Sequence, residues 1–234
     1  MALSSFSGGM AVVVGATGGI GRAVLAAIEA SGAFERVLAY GRSTDPSLDL
    51  LDEASIARAA AEVEAAGPLT LLFDATGALT AEGLVAEKTW RQIDGDAMAR
   101  AFALNAIGPA LLVKHFAPLL PRRGRAVFAT LSARVGSIGD NGLGGWYSYR
   151  ASKAALNQIV RTASVELARS RPDAICVALH PGTVATGLTE GFAKSGLEVQ
   201  APGVAASRLL GVIDGLTPAD TGRFFDHRGE AVPW

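Results

Sequence analysis

Residues 10–14, Met-Ala-Val-Val-Val, form a short β-branched run that stops at Gly15-Ala16-Thr17-Gly18-Gly19-Ile20-Gly21, and a helical pattern follows at once over 20–30. No other feature restricts the fold as much. A run this short that is apolar at every position predicts a strand buried on both faces, the kind found in parallel sheets covered by helices. Glycines at the strand-to-helix junction allow a sharp turn and leave the backbone N–H groups open to close approach. The helix that begins there offers its positive end to the same spot. Strand, glycine-rich turn and helix in this order predict a cradle for a diphosphate, the anchor of a dinucleotide.

The rest of the chain keeps the same rhythm. Apolar runs at 36–40, 69–73, 125–131, 174–179 and 223–225 alternate with helical patterns at 53–66, 96–120, 149–169 and 204–213. Gly108-Pro109 predicts a kink inside the helix over 96–120. The fold class expected is α/β: one doubly wound, parallel-sheet domain of Rossmann type, three layers deep, spanning 1–234. With 234 residues, 50% hydrophobic and 18% charged, the chain can bury a full core without metals or disulfides. A net charge of −1 gives no electrostatic footprint for nucleic acid or an anionic membrane, so neither is expected as a partner. No stretch reads as long enough to span a bilayer, and the first residues carry no basic leader. Cys176 is alone and sits inside an apolar run, which predicts a core thiol in a reducing, cytoplasmic setting. His115, His180 and His227 lie far apart, and no metal site is expected.

The second strand decides which dinucleotide is expected. An acid at its tip would bond the ribose hydroxyls of NAD. Here the tip reads Ala39-Tyr40-Gly41-Arg42-Ser43. The guanidinium of Arg42 suits a 2′-phosphate, which predicts NADP(H) over NAD, with Asp45 nearby as the contrary sign.

Tyr149-Arg150-Ala151-Ser152-Lys153 opens a later helix. Positions four apart share a helix face, so phenol and ammonium meet in one pocket. A free tyrosine titrates near about 10. A fixed positive charge beside it stabilises the phenolate and makes it a better acid–base at neutral pH. The helix follows a late strand, near the strand ends where ligands of such sheets bind.

These segments together resemble the short-chain dehydrogenase/reductase family in its single-domain form, over nearly the whole chain. Val14-Gly15-Ala16-Thr17-Gly18-Gly19-Ile20-Gly21 resembles the family's cofactor turn, with Val14 where threonine is frequent. Asp49-Leu50 resembles the adenine-contacting pair, and Asp74-Ala75-Thr76-Gly77 resembles an altered Asn-Asn-Ala-Gly segment. Asn105 matches the helix asparagine, for which the resemblance implies a water chain to the lysine. Tyr149 and Lys153 match the catalytic pair, and Pro181-Gly182-Thr183-Val184-Ala185-Thr186 resembles the segment that clasps the nicotinamide carboxamide and diphosphate.

In this family the second of two adjacent serines often bonds the substrate oxygen. Ala133 fills that slot here, so Ser132 is the expected catalytic serine and Ser137 its reserve. The spacing from there to Tyr149 is longer than usual in the family. Trp146, Tyr147 and Phe192 are the expected substrate contacts, within a pocket built from 78–87, 139–147 and 187–200, the last a candidate lid. The glycine-rich insert before Tyr149 and the C-terminal Val232-Pro233-Trp234 give a looser resemblance to the branch of C-factor-like proteins and Sniffer-type carbonyl reductases. The resemblance implies hydride transfer between NADP(H) and a small-molecule carbonyl or alcohol, in a homodimer or homotetramer. Two alternatives stand beside it: a non-catalytic NADP(H)-binding regulator or signal, and a sugar-nucleotide epimerase or dehydratase, whose glycine spacing Gly15, Gly18 and Gly21 also fit. The short stretch after Thr186 argues against the latter.

Overall fold

The computed structural model describes residues 3–80, 84–187 and 199–234. Its central strands divide their side chains between two cores, as a period of two requires. β1 (Met10–Val14) sends Met10, Val12 and Val14 to one face and Ala11 and Val13 to the other. Helix α1 (Gly19–Ser31) lies on the second face through Val24 and Ile28. β2 (Arg36–Tyr40) returns beside β1, and α2 (Glu53–Ala66) covers the first face with Ile56, Ala59 and Val63. β3 (Leu69–Asp74) then pairs with the opposite edge of β1.

The next helical segment has three parts: α3 (Gly95–Phe102), a π-helical turn over Ala103–Ile107, and α4 (Gly108–Phe116). A single kinked helix was expected. The widened turn accommodates Pro109, which brings no N–H and would crowd the preceding turn of a regular helix. The composite helix Gly95–Leu119 is long and apolar enough to cross a membrane by length and composition, which corrects the expectation that no such stretch exists. Its apolar character has a use within this fold, because Leu112 and Phe116 belong to the first core.

β4 (Ala126–Leu131), a short 3-10 turn over Arg134–Gly136, α5 (Tyr147–Ser170) and β5 (Ala174–His180) follow. β6 (Thr183–Val184) pairs with β7 (Val199–Gln200) apart from the main sheet. α6 (Pro202–Gly215) joins α1 on the second face, and starts earlier than expected because Pro202 suits the first helical position. β8 (Phe224–Asp226) closes the sheet. A return segment lies along it: Ala231 bridges Phe225, and the Val232 N–H donates to the Phe224 carbonyl.

The strand order is β2-β1-β3-β4-β5-β8, and every neighbouring pair is parallel. The chain reverses its direction of travel between β1 and β3. The strand ends part there, and a crevice opens above them.

One contact ties the turn after β4 to the helix that packs on it. A side chain at Gly136 would place its Cβ 2.7 Å from Lys153 Cβ and 2.9 Å from the Lys153 carbonyl carbon. Gly136→Ala is therefore expected to destabilise the protein by about 1–3 kcal/mol through overpacking, read as a lower denaturation midpoint at unchanged slope.

Candidate active site

The glycine-rich turn is shaped by what its neighbours leave no room for. Gly15 takes φ 78°, and a Cβ there would lie 3.1 Å from the Ala75 carbonyl carbon. A Cβ on Gly21 would stand 2.1 Å from the Gly15 carbonyl oxygen. Gly18 caps α1 without a side-chain hydrogen bond, and no acid stands in the first turn. The helix thus begins with N–H groups that no side chain caps and no carboxylate opposes, which fits a diphosphate. A Cβ on Gly19 would reach within 2.6 Å of Thr186 Cγ2, so the turn and the 181–186 segment face each other closely.

Arg42 is exposed just past β2, next to Gly41, which packs on Thr17. Arg22, which the sequence reading missed, donates from Nη2 to the Thr17 carbonyl at 3.1 Å. One guanidinium thus lies at the turn and a second arginine follows the residue that packs on it, two cationic side chains of the kind that suit a 2′-phosphate. The signal was available: a cation near the positive end of a helix is unfavourable unless an anion joins it. Asp49 accepts the Leu51 N–H at 2.9 Å, while Leu50 is buried against Gly108.

A cavity of about 440 Å³ opens above the strand ends. It gathers Ile20, Ala75, Thr76, Gly77, Ser132, Trp146, Tyr149, Lys153, Pro181, Gly182, Val184 and Thr186 of the expected residues. Gly15, Thr17, Gly18, Gly19, Gly21, Arg42, Asp49, Leu50, Asn105 and Tyr147 do not line it. Phe192 and most of the 187–200 segment lie outside the described residues. Asp140 and Leu143 join the wall from the expected 139–147 stretch, and Arg134, Arg150 and His180 join it without having been expected. Arg134 pairs with Asp226 at 2.9 Å and Asp140 at 3.7 Å. His180 is half-buried, with Nδ1 enclosed and unpartnered among the described residues, and desolvation, then Arg134 and His227, pushes its imidazole down to about 4, so it is neutral at pH 7.

The helix that carries Tyr149 and Lys153 is started from outside. Trp146 turns left-handed at φ 53°, and its N–H donates to the Glu87 carbonyl. The buried Glu87 carboxylate then accepts the Ser148 N–H at 3.2 and 3.3 Å and the Ser148 hydroxyl. A carboxylate over the first turn complements the helix dipole. This explains why α5 starts two residues before the expected position, and nothing local in the sequence marks Glu87 for the role. The Trp146 ring meets Tyr149 edge-on at 6.3 Å.

Lys153 is only 2% exposed, and its Nζ donates to the Leu131 carbonyl at 2.8 Å. Burial pushes the ammonium down to about 8, and the Asp74 carboxylate opposes that shift. Burial also raises the Tyr149 phenol above its ordinary value. This differs from the expected lowering by Lys153: desolvation of the phenolate dominates in the cleft.

Asn105 is buried in the π-helical turn. It clamps both the N–H and the carbonyl of Ala78 at 2.8 Å and reaches Ser152 Oγ at 3.2 Å. Ser132 donates its hydroxyl proton to Asn157 Oδ1 at 2.6 Å, and Asn157 Nδ2 donates to the Gly136 carbonyl. The expected substrate-facing role for Ser132 needs that same proton, which is engaged here. Ser137 is buried and accepts the Asp140 N–H at 3.1 Å.

Residues 15–209 match a family model described as enoyl-(acyl carrier protein) reductase. The chain belongs to the short-chain dehydrogenase/reductase family. It is 33% identical over 197 residues to the 1-hydroxy-2-glutathionyl-2-methyl-3-butene dehydrogenase of a Rhodococcus strain, covering 84% of this chain and 82% of that one. It is 41% identical over 144 residues to the C-signal protein of Myxococcus xanthus, covering 61% and 81% respectively. The NADPH-bound carbonyl reductase from chicken fatty liver superposes with a TM-score of 0.84 at 28% identity, over 98% of this chain and 95% of that one. The parallel sheet, its strand order and the glycine turn are those of this family's Rossmann-type fold.

The external cap yields a test. Glu87→Ala is expected to cost about 1–2 kcal/mol of stability, with faster hydrogen exchange confined to the first turn of α5.

Proposed function

We propose that this family member is an NADP(H)-dependent carbonyl reductase acting on a small-molecule carbonyl, working as one cytoplasmic domain within a homodimer or homotetramer. The observation that carries the reading is the convergence of Tyr149 and Lys153 with the 75–77 and 181–186 segments on one cavity. Arg22 at the Thr17 carbonyl, Arg42 just past β2 and the NADPH-bound state of the similar chicken liver enzyme support the phosphorylated cofactor. When bound, that cofactor supplies hydride to the carbonyl carbon.

The residues of this chain do the rest. Tyr149 gives its proton to the carbonyl oxygen as negative charge develops there. A phenol raised by burial holds that proton firmly at neutral pH, which suits the reductive direction. Lys153, charged below about 8, stabilises the phenolate left behind. Asn105 fixes Ala78 and the start of α5 around them. Ser132 acts through Asn157, holding the turn at Gly136 against α5. Trp146 closes the apolar side of the cavity.

A second reading, an NADP(H)-binding regulator without turnover, draws support from Ala133 and from the engaged Ser132 proton. One assay separates the two. NADPH and NADH are titrated, and aldehydes, ketones and diketones are then screened by loss of nicotinamide absorbance. Under the reductase reading NADPH binds more tightly than NADH, and Arg42→Ala erases much of the difference. Tyr149→Phe should lower kcat by roughly 10²–10⁴-fold, while Ser132→Ala costs less than tenfold by the same scale. Turnover should decline as pH rises through about 8, where Lys153 gives up its proton. Tight NADPH binding with no carbonyl consumed across the panel selects the regulator.

A further inference from the structure

Asp74 has no part in the reaction as described above, yet it is fully buried at the end of β3, directly under the site. In the register of the sheet it faces Thr130, and the next residue, Leu131, is the one whose carbonyl holds Lys153 Nζ. From above, a Cβ on Gly77 would come within 3.1 Å of the same Nζ. Carboxylate and ammonium therefore share one dry compartment, floored by the ends of β3 and β4.

The donors around Asp74 suit an ionised carboxylate. Oδ1 accepts the Thr76 N–H at 2.9 Å and the Thr76 hydroxyl at 2.6 Å, and Oδ2 accepts the Thr130 hydroxyl at 2.6 Å. The backbone N–H cannot reverse its role, so Oδ1 is an acceptor in any state. Among the described residues, Asp74 is the acid whose charge acts on Lys153. The other charged groups nearby point elsewhere: Arg134 to Asp226 and Asp140, and Arg150 to the carbonyls of Val135, Gly144 and Gly145. Asn105, Thr76 and Thr130 face the compartment without charge, and His180 is neutral at pH 7.

We propose that Asp74 is a positioning residue whose buried charge, beside the strand end that holds Nζ, keeps Lys153 in its ammonium form and so sets the pH range of the site. The short-chain dehydrogenase/reductase pattern has asparagine at this position, so the charge belongs to this chain's own departure from it. Without a counter-charge, the desolvated lysine would lose its proton closer to neutrality, and the phenolate of Tyr149 would lose its stabilising partner. Burial raises the Asp74 carboxyl above its ordinary value, and the three donors together with Lys153 counter part of that rise. The proposal rests on the reductase reading for its catalytic meaning but not for its chemistry.

Asp74→Asn separates the charge from the geometry. The amide oxygen keeps both Thr76 contacts, and Nδ2 donates to a Thr130 hydroxyl that becomes the acceptor. Protein labelled with ¹³C at lysine Cε and aspartate Cγ, without cofactor, is titrated by NMR. In the parent protein the Asp74 carboxyl is expected to be ionised at neutral pH. In Asp74→Asn the Lys153 midpoint is expected to fall by about one pH unit or more, and the alkaline limb of kcat should move down by the same amount. An Asp74 carboxyl still protonated at neutral pH overturns the proposal, and this measurement needs no variant to fold. A Lys153 midpoint unchanged by Asp74→Asn overturns it too. A parent protein that turns over no carbonyl removes the reductase reading alone, and the two NMR titrations still decide whether the Asp74 charge holds the Lys153 proton.

Discussion

A buried ammonium must be solvated by protein, and much of this architecture follows from how Lys153 is solvated. Its Nζ rests on the carbonyl at the end of β4, its stem lies against the bare face of Gly136, and Gly77 leaves room above it. Each contact comes from a different part of the chain, brought together by a parallel sheet whose strands end at one level. The β3 and β4 register sets the floor, and Glu87 sets the start of the helix from which the lysine descends. Small residues at 77 and 136 are thus steric consequences of placing a charge in a dry layer, not loop punctuation.

The polar groups around the cavity divide the labour unevenly. Several hydroxyls and amides that could face a ligand are spent on internal bonds: Ser132 on Asn157, Asn105 on Ala78, Thr76 on Asp74. What they gain is rigidity, since fully satisfied buried networks hold a single arrangement. Among the described residues, Tyr149 and the imidazole of His180 stand on the wall beside many apolar side chains.

The fold was legible because its signals are local and repeated. β1, β2 and α2 fall where the apolar runs and the Ala-Glu pattern placed them, and most of the others differ by one or two residues at their ends, while the helix expected over 96–120 is broken and the short β6 and β7 had no sequence signal. Tyr149, Lys153, Ser132 and the 75–77 and 181–186 segments reach the cavity as expected. What could not be read depends on long-range meetings. Glu87 caps a helix from 61 positions away, and Asn157 takes the Ser132 proton across 25. No periodicity encodes either. The Tyr149 shift was misjudged for a related reason: spacing shows that a charge is near, but the cost of desolvation depends on how the whole cleft closes. The π-helical turn escaped because a proline announces a disturbance without saying which form relieves it.

The return segment along β8 has a consequence of its own. An open parallel sheet leaves two outer strands with unsatisfied backbone, and such edges invite pairing with other chains. Here the antiparallel bridge from Phe225 to Ala231 and the Val232-to-Phe224 hydrogen bond occupy part of one edge, and Trp234 stacks on Phe224 at 5.8 Å to hold that cover down. The opposite edge, β2, begins at an exposed arginine, a charge of the kind that discourages strand addition. The molecule therefore guards itself against sticking by two unlike means, a lid of its own backbone on one flank and a charge on the other. Trimming the last few residues would turn the first flank into a template for self-association.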